Sequence, residues 1–340
     1  MSAEVTRLSL SEAEALVLAA LQANGCSPEN AAPTARALVA AEADGQSGHG
    51  LSRVPPYALH ARVGKVNGFA RPRLEQVAAA ALRVDAAHGF AYPAIDLALG
   101  ALVPLARQAG VALATVGASH HFGQAGAHAE RLAGQGLVAL VFGNTPKAMA
   151  FWGGRRPALG TNPIAFAAPL PGADAPLVID LALSVAARGK IVAAQKAGRP
   201  IPAGWAVDRD GQSTTDPDAA LAGALSPIGG PKGAALALMV EILAAALTGS
   251  SFGWEASSMF DAQGGPPDMG HVFLAIDPGP LSGGAFPGRM ADLLAALAEE
   301  PDARLPGSRR LEARMRAARD GIQVPSVLAE EIRLLAGGRP

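Results

Sequence analysis

The stretch that most constrains this chain runs from Val111 to Gly134. Val-Ala-Leu-Ala-Thr-Val-Gly-Ala-Ser (Val111 to Ser119) is a short apolar run that follows Gly110 and reads as a buried strand. It opens into Ser119-His120-His121-Phe122-Gly123, and a helix follows from Gly123 to Gly134. Strand ends that open into helix N-termini are where α/β folds place ligands. The remainder of the chain is therefore read as layers around this strand.

Ahead of it the pattern is helical. Ser9 or Ser11 caps a helix through Gln22, which Gly25 stops, and Ser27 with Pro28 and Asn30 starts a second one to Ala43. A Gly-rich turn, Gly45 to Gly50, follows, then a helical piece from Arg53 to Val63. Val77 to Val84 is expected as a strand and Gly89 to Gly110 as a long helix. Further strands are expected at Leu137–Asn144, Pro163–Pro169, Pro176–Asp180 and Val272–Asp277. Ser184–Lys196, Pro231–Leu247 and most of the tail from Pro287 are expected as helices, with a break at Leu305–Ser308. The sum is an α/β core with helices from both chain ends packed around it.

Composition removes several function classes. With 50% hydrophobic residues and 17% charged, the 340-residue chain can bury a large core, so disorder is excluded. A net charge of -1 leaves no basic stripe for nucleic acid. The longest apolar run, Ala234–Leu247, is broken by Glu241 and is shorter than the roughly 18 residues of a membrane span. One cysteine, Cys26, and an acidic N-terminus without the pattern of a signal peptide predict a cytoplasmic location.

Common cofactor motifs fail on context. Gly134-Gln135-Gly136-Leu137-Val138-Ala139 matches the dinucleotide letters but leads from a helix into a strand, so no helix N-terminus faces a pyrophosphate. No metal-ligand spacing and no nucleophile elbow occur, and no metal is expected. Four polar clusters remain. In Gly48-His49-Gly50-Leu51-Ser52-Arg53, flanking glycines let a ligand approach an imidazole, and Arg53 offers a fork for a carboxylate. An exposed turn histidine and a surface arginine would read the same way. Ser119–Gly123 suits a ligand or a satisfied histidine equally. Gly160-Thr161-Asn162-Pro163 offers a hydroxyl and an amide at a turn. In Pro227–Gly233, Lys232 lies in the first turn of an apolar helix, where it opposes the helix dipole; that conflict points to a bound anion such as a cofactor phosphate.

In this order the clusters resemble the type-2 malate/L-lactate dehydrogenase family. The matching stretches are ADGQSGHGLSRVPPY, SHHFGQAGAHAE, GNTPKAMAFWGGRRPALGTNPIAFAAP, VIDLALSVAARGKI, IPAGWAVDRDGQSTTDP and SPIGGPKGAALALMVEILAAALTG, from about residue 43 to 249. The resemblance implies a non-Rossmann α/β fold with a mainly antiparallel mixed sheet and helices from both chain ends. It implies a homodimer that uses NADPH, or NADH, on a small imino or oxo acid. Residues 1–75 with 305–340 would form a helical substrate and dimerisation unit, and 76–304 an α/β cofactor unit. His49 would move the proton. Arg53, with Thr161 and Arg188, would hold the substrate. His121, Phe122 and Gly123, from the partner subunit or the same one, and Asp180, Leu181, Ala182, Pro231, Lys232 and Arg289 would contact the cofactor. Within the family the chain looks most like the Δ1-piperideine-2-carboxylate/Δ1-pyrroline-2-carboxylate reductases, which makes reduction of a cyclic imino acid to L-proline or L-pipecolate the leading expectation. The alternatives are a 2-hydroxy-acid dehydrogenase of malate, lactate, sulfolactate or ureidoglycolate type and an inactive cofactor-binding or scaffold protein. Two departures bear on the choice. Gly48 stands where the family has the serine before its histidine, with Ser47 one residue earlier. Lys190 stands where the imine reductases carry an acidic residue, so Lys190, Arg188, or one of Arg155 and Arg156 could clamp a distal acid. Phe122, Met149 and Trp152 could supply an apolar wall for a ring.

Overall fold

The computed structural model describes residues 4–337, so the outermost residues of the expected helical unit, 1–3 and 338–340, lie outside the described residues. Its centre is a seven-stranded sheet. Across the sheet the order is Arg73–Ala78, Ala81–Asp85, Val111–Ser119, Met269–Ile276, Val138–Gly143, Ile164–Ala168, Leu177–Leu181. Only Ala81–Asp85 and Val111–Ser119 run parallel; the other pairs are antiparallel. The expected mixed, mainly antiparallel α/β core is thus found. Among the described residues no doubly wound parallel half is present to carry a Rossmann site.

Both faces of the sheet are covered, which is why its strands are so apolar. The helices Ala91–Ala109 and Ala125–Ala133 pack Ile95, Leu102 and Leu132 against Val116, Val141 and Phe273. On the other face, Phe142 and Val272 meet Ala237, Val240 and Ala244. A third cluster joins the chain ends. Leu21, Leu38 and Tyr57 pack with Ile322, Val324 and Ile332, and Val5–Leu8 pairs antiparallel with Ile322–Pro325. The helix Ser308–Asp320 is fixed to the first half by a charge network. Arg314 forks onto Asp44 at 2.7 and 2.9 Å and onto Glu130 at 2.9 and 3.0 Å. Among the described residues no helix is long and apolar enough to cross a membrane.

Several expectations are corrected. Val77–Val84 is not one strand but parts of a hairpin, Arg73–Ala78 and Ala81–Asp85, whose turn is Ala79-Ala80 and carries none of the usual turn residues. Ser184–Lys196 is helical only from Arg188, because Ser184 bridges to Pro227 in extended form. Pro231–Leu247 is α-helical to Glu241 and then widens into a π-helix over Ile242–Ala246. There the Thr248 hydroxyl bonds the Ala244 carbonyl at 2.7 Å. The capping is resolved in favour of Ser9, which forms a capping box with Glu12. A five-stranded sheet of two- and three-residue strands, built from residues 149 to 225, was not anticipated.

Candidate active site

The Gly45–Gly50 turn is shaped by Glu42. Its carboxylate accepts from the Ser47 hydroxyl at 2.5 Å and from the Leu51 N–H at 2.8 Å. Gly50 lies so close to Glu42 that a Cβ there would collide with the carboxylate, so the turn requires glycine at that position. Ser47 is therefore engaged by Glu42 and does not replace the missing serine as a partner of His49. The turn delivers His49 onto His121. The two rings stack with centroids 5.3 Å apart and planes 8° apart. His49 Nδ1 is buried and has no hydrogen-bond partner in the protein. Burial, reinforced by the Arg53 charge, lowers its pKa to about 4. The imidazole is thus neutral at pH 7 and able to accept a proton.

Arg53 ends the short turn Leu51–Arg53 and precedes the helix Val54–Arg62. Its Nε donates to the Gly48 carbonyl at 2.7 Å, which ties it to the His49 turn and leaves the outer Nη edge for a ligand. His121 is held from behind by the Tyr57 hydroxyl, 2.7 Å from its Nδ1. Burial pushes the Tyr57 phenol up to about 12, so it stays protonated. Tyr57 is a site residue that the sequence reading missed; it lies four residues after Arg53, one helical turn on.

Phe122 and Gly123 sit deeper. Phe122 stacks on His271 at 4.3 Å and on His128 at 5.6 Å. Gly123 has φ +72°, and a Cβ there would press on the Tyr92 hydroxyl, so another residue would be both strained and crowded. Thr161 faces Thr145, whose hydroxyl is 3.3 Å from its own. The next residue, Asn162, has φ +43° and is held by bonds from its amide to the Ala237 carbonyl and to Glu241, at 2.8 and 2.7 Å.

The cofactor candidates separate into two groups. Asp180 and Leu181 line a cavity of about 1030 Å³ with Gly45, Gln46, Lys190 and the segment Arg304–Arg310. Asp180 accepts the Gly126 N–H at 2.8 Å in the first turn of Ala125–Ala133, while burial raises its pKa. Ala182 follows it, exposed. Pro231 and Lys232 begin the helix behind Gly230, which lines a second cavity, of about 1060 Å³, with Trp152, Arg155 and Val185. Of the other expected residues, Arg188 turns to the Leu221 carbonyl at 3.3 Å and lines neither cavity. Arg289 lies on the exposed helix Phe286–Ala298, paired with Asp292 at 2.7 Å, and also lines neither. The arginines beside Asp180 are instead Arg304, Arg309 and Arg310. The signal used for Lys232 would have found two of them: Pro306-Gly307 starts a helix with Arg309 and Arg310 in its first turn. Met149 is core and Trp152 is largely exposed.

The family described as malate/L-lactate dehydrogenase matches residues 8–333. The (2R)-3-sulfolactate dehydrogenase (NADP(+)) of Chromohalobacter salexigens is 52% identical over 332 residues, covering 98% of each chain. The Delta(1)-pyrroline-2-carboxylate reductase of Ancylobacter novellus is 42% identical, again over 98% of each. Among solved structures, the delta1-piperideine-2-carboxylate reductase from Pseudomonas syringae superposes with a TM-score of 0.91 at 41% identity, covering 97% of this chain and 99% of that one. The chain belongs to the malate/L-lactate dehydrogenase family and is an NAD(P)-dependent oxidoreductase of the kind that includes both imine reductases and hydroxy-acid dehydrogenases.

Proposed function

We propose that the protein interconverts a 2-hydroxy acid bearing a second, distal anion with its 2-oxo acid, with 3-sulfolactate as substrate and NADP(H) as cofactor. The observation that carries this reading is Lys190. By the resemblance it stands where the imine reductases are acidic, and it lines one cavity with Gly45 and Gln46, the start of the His49 turn. A sulfonate stays ionised at every working pH and needs such a cation, whereas a cyclic imine needs none. The 52% identity to the sulfolactate enzyme, against 42% to the pyrroline-2-carboxylate reductase, supports the same order. This reverses the ranking drawn from the sequence alone. Reduction of a cyclic imino acid is the second reading, favoured by the 0.91 TM-score with the piperideine-2-carboxylate reductase.

In the leading reading Arg53 receives the C1 carboxylate on its Nη edge, with the Thr161 hydroxyl close by. Neutral His49 accepts the hydroxyl proton as the acid is oxidised and returns it in the reverse direction. A bound nicotinamide dinucleotide supplies or takes up the hydride at C2. The residues fit such a group. Gly307, with φ +87°, starts the helix Ser308–Asp320 without a side-chain cap; the Ser308 N–H donates to the Leu305 carbonyl and the Arg310 N–H to the Gly307 carbonyl, which leaves the Arg309 N–H open in the first turn. Arg304 and Arg309 line the same cavity and make no ion pair among the described residues, as a phosphate site requires. His121, Phe122, Gly123, Asp180, Leu181 and Ala182 belong to this proposal. Pro231 and Lys232 would enter from the other cavity, across a homodimer. Leu236, Leu238, Met239 and Ile242, all exposed on one helix, are the face such a dimer would cover.

The test compares wild type with Lys190→Ala on 3-sulfolactate and on lactate, with NADP+. The wild type should prefer sulfolactate. The variant should lose about tenfold or more in kcat/KM for sulfolactate, the scale of one charge-assisted bond, with lactate little changed. Equal losses on both acids would remove Lys190 from the distal-acid role.

A further inference from the structure

Lys65 plays no part in the proton chemistry, yet its side chain is only 1% exposed. All three of its donors are engaged by one short segment: Nζ donates to the carbonyls of Ser258 at 2.6 Å, Asp261 at 3.0 Å and Gln263 at 2.6 Å. His60 Nε2 donates to the same Asp261 carbonyl at 2.9 Å, and its other nitrogen meets His120 Nε2 at 3.1 Å. The segment also closes on itself, through the Phe260 N–H to the Ser258 hydroxyl at 3.2 Å and the Gln263 N–H to the Asp261 carboxylate at 2.8 Å. Residues 258–263 therefore form a strap clamped from the helix Val54–Arg62 and the turn after it. At its middle is Phe260, whose ring is 68% exposed. Holding a phenyl ring in water has no packing benefit of its own. The ring lies over the guanidinium of Arg53, 4.9 Å from centroid to Cζ.

We propose that Phe260 is a positioning residue for the substrate carboxylate, held in place by the Lys65 clamp. The inference rests on the reading of Arg53 as the carboxylate holder. Two restraints act on that guanidinium. The Gly48 carbonyl fixes Nε, and the Phe260 ring covers one face. Together they leave the Nη edge as the free donor pair, aimed end-on at an incoming carboxylate. The ring also removes water from the guanidinium face, which strengthens the ion pair and lowers the reorganisation needed on binding. Any substrate of the panel carries this carboxylate, so the role does not depend on which one is preferred.

The experiment measures steady-state kinetics on Phe260→Ala, Phe260→Tyr, Arg53→Ala and the double variant Arg53→Ala/Phe260→Ala, using the best substrate of the panel. Because Phe260 is exposed, its replacement leaves the fold intact. Phe260→Ala should raise KM about three- to tenfold with kcat and cofactor Kd nearly unchanged, and Phe260→Tyr should restore it. In the Arg53→Ala background, removing the ring should add nothing. Lys65→Met should raise KM in the same direction and increase hydrogen exchange over 258–263. An unchanged KM in Phe260→Ala, while Arg53→Ala raises KM strongly, overturns this inference alone. An unchanged KM in Arg53→Ala overturns the carboxylate reading and the inference with it. Full additivity in the double variant shows that the ring does not act through Arg53 and also overturns it.

Discussion

The His49–His121 pair and the group formed by His60, His120, His128 and His271 lie a few side chains apart. The inner four are buried and the His49–His121 pair is half-buried, and desolvation lowers the pKa of every one of these rings. They differ in where their ring nitrogens point. In the inner group His271 Nε2 bonds the His120 carbonyl at 3.0 Å, His128 Nε2 bonds the Phe122 carbonyl at 2.7 Å, and His60 bonds Asp261 and His120. These rings fasten the strand end and the following loop to the core. Among the described residues no three His, Cys, Asp or Glu groups are arranged to hold a metal ion. His120, His128 and His271 leave Nδ1 unpartnered as His49 does, but each is fastened through Nε2, whereas His49 makes no side-chain hydrogen bond among the described residues and stands at the edge of the cluster beside Arg53. Residue type and the direction of the pKa shift are shared; exposure and the partners of the nitrogens separate the two groups.

The difference can be broken by acid. Burial lowers the pKa of His128 and His49 to about 4 and of His271 to about 3. The unfolded chain takes up these protons near pH 6.5 and the folded chain only near 3 to 4, so stability is fully present above 6.5 and falls as pH drops through that window. Each fully buried ring contributes up to about 1.4 kcal/mol per pH unit, making this the largest effect expected. Urea unfolding at pH 7, 6 and 5 should show a steep decline. A flat free energy over that range would mean the inner rings are hydrated.

Substitution separates the two groups. His49→Ala should lower kcat by about 100-fold or more with cofactor binding kept, the usual scale for a general acid–base group. Near wild-type turnover would move the proton to His121 or to water. His271→Leu should do the opposite: it leaves the His120 carbonyl unpaired and costs about 2 kcal/mol of stability, while kcat per folded molecule stays within about threefold. An unchanged stability, or a collapse of kcat in folded protein, would erase the distinction. The smallest effect is expected at Lys232, outside both groups. Lys232→Ala should weaken NADPH binding about tenfold by fluorescence titration, and an unchanged Kd with a lower Tm would make the lysine structural.

Much of the core was legible in the sequence because its signals are local. The run Val111–Ser119 occupies the strand expected of it, and the Ser9 cap and the Gly110 stop fall where local chemistry puts them. Non-local features were not legible. Nothing near Val5–Leu8 announces a partner at Ile322–Pro325, and strands as short as Met149–Ala150 or Ala206–Val207 carry no period. The site was readable to the extent that glycines mark it: Gly48, Gly50 and Gly123 frame His49 and His121. Arg289 and Arg309 look alike in sequence, and only the return of the C-terminal helix to Asp44 and Glu130 brings the second beside Asp180. Phe260 is hidden for the same reason, since it lies about two hundred residues from the arginine it covers.

In the proposed reaction a neutral His49 and an end-on Arg53 serve a hydroxy acid whose far end meets Lys190. Its most direct test is a comparison of kcat/KM for the purified protein with NADPH on 3-sulfopyruvate, pyruvate, oxaloacetate, Δ1-pyrroline-2-carboxylate and Δ1-piperideine-2-carboxylate. The expected result is 3-sulfopyruvate first, ahead of pyruvate by about tenfold or more, the value of a second charge-assisted contact. A cyclic imine ahead of every oxo acid would contradict it.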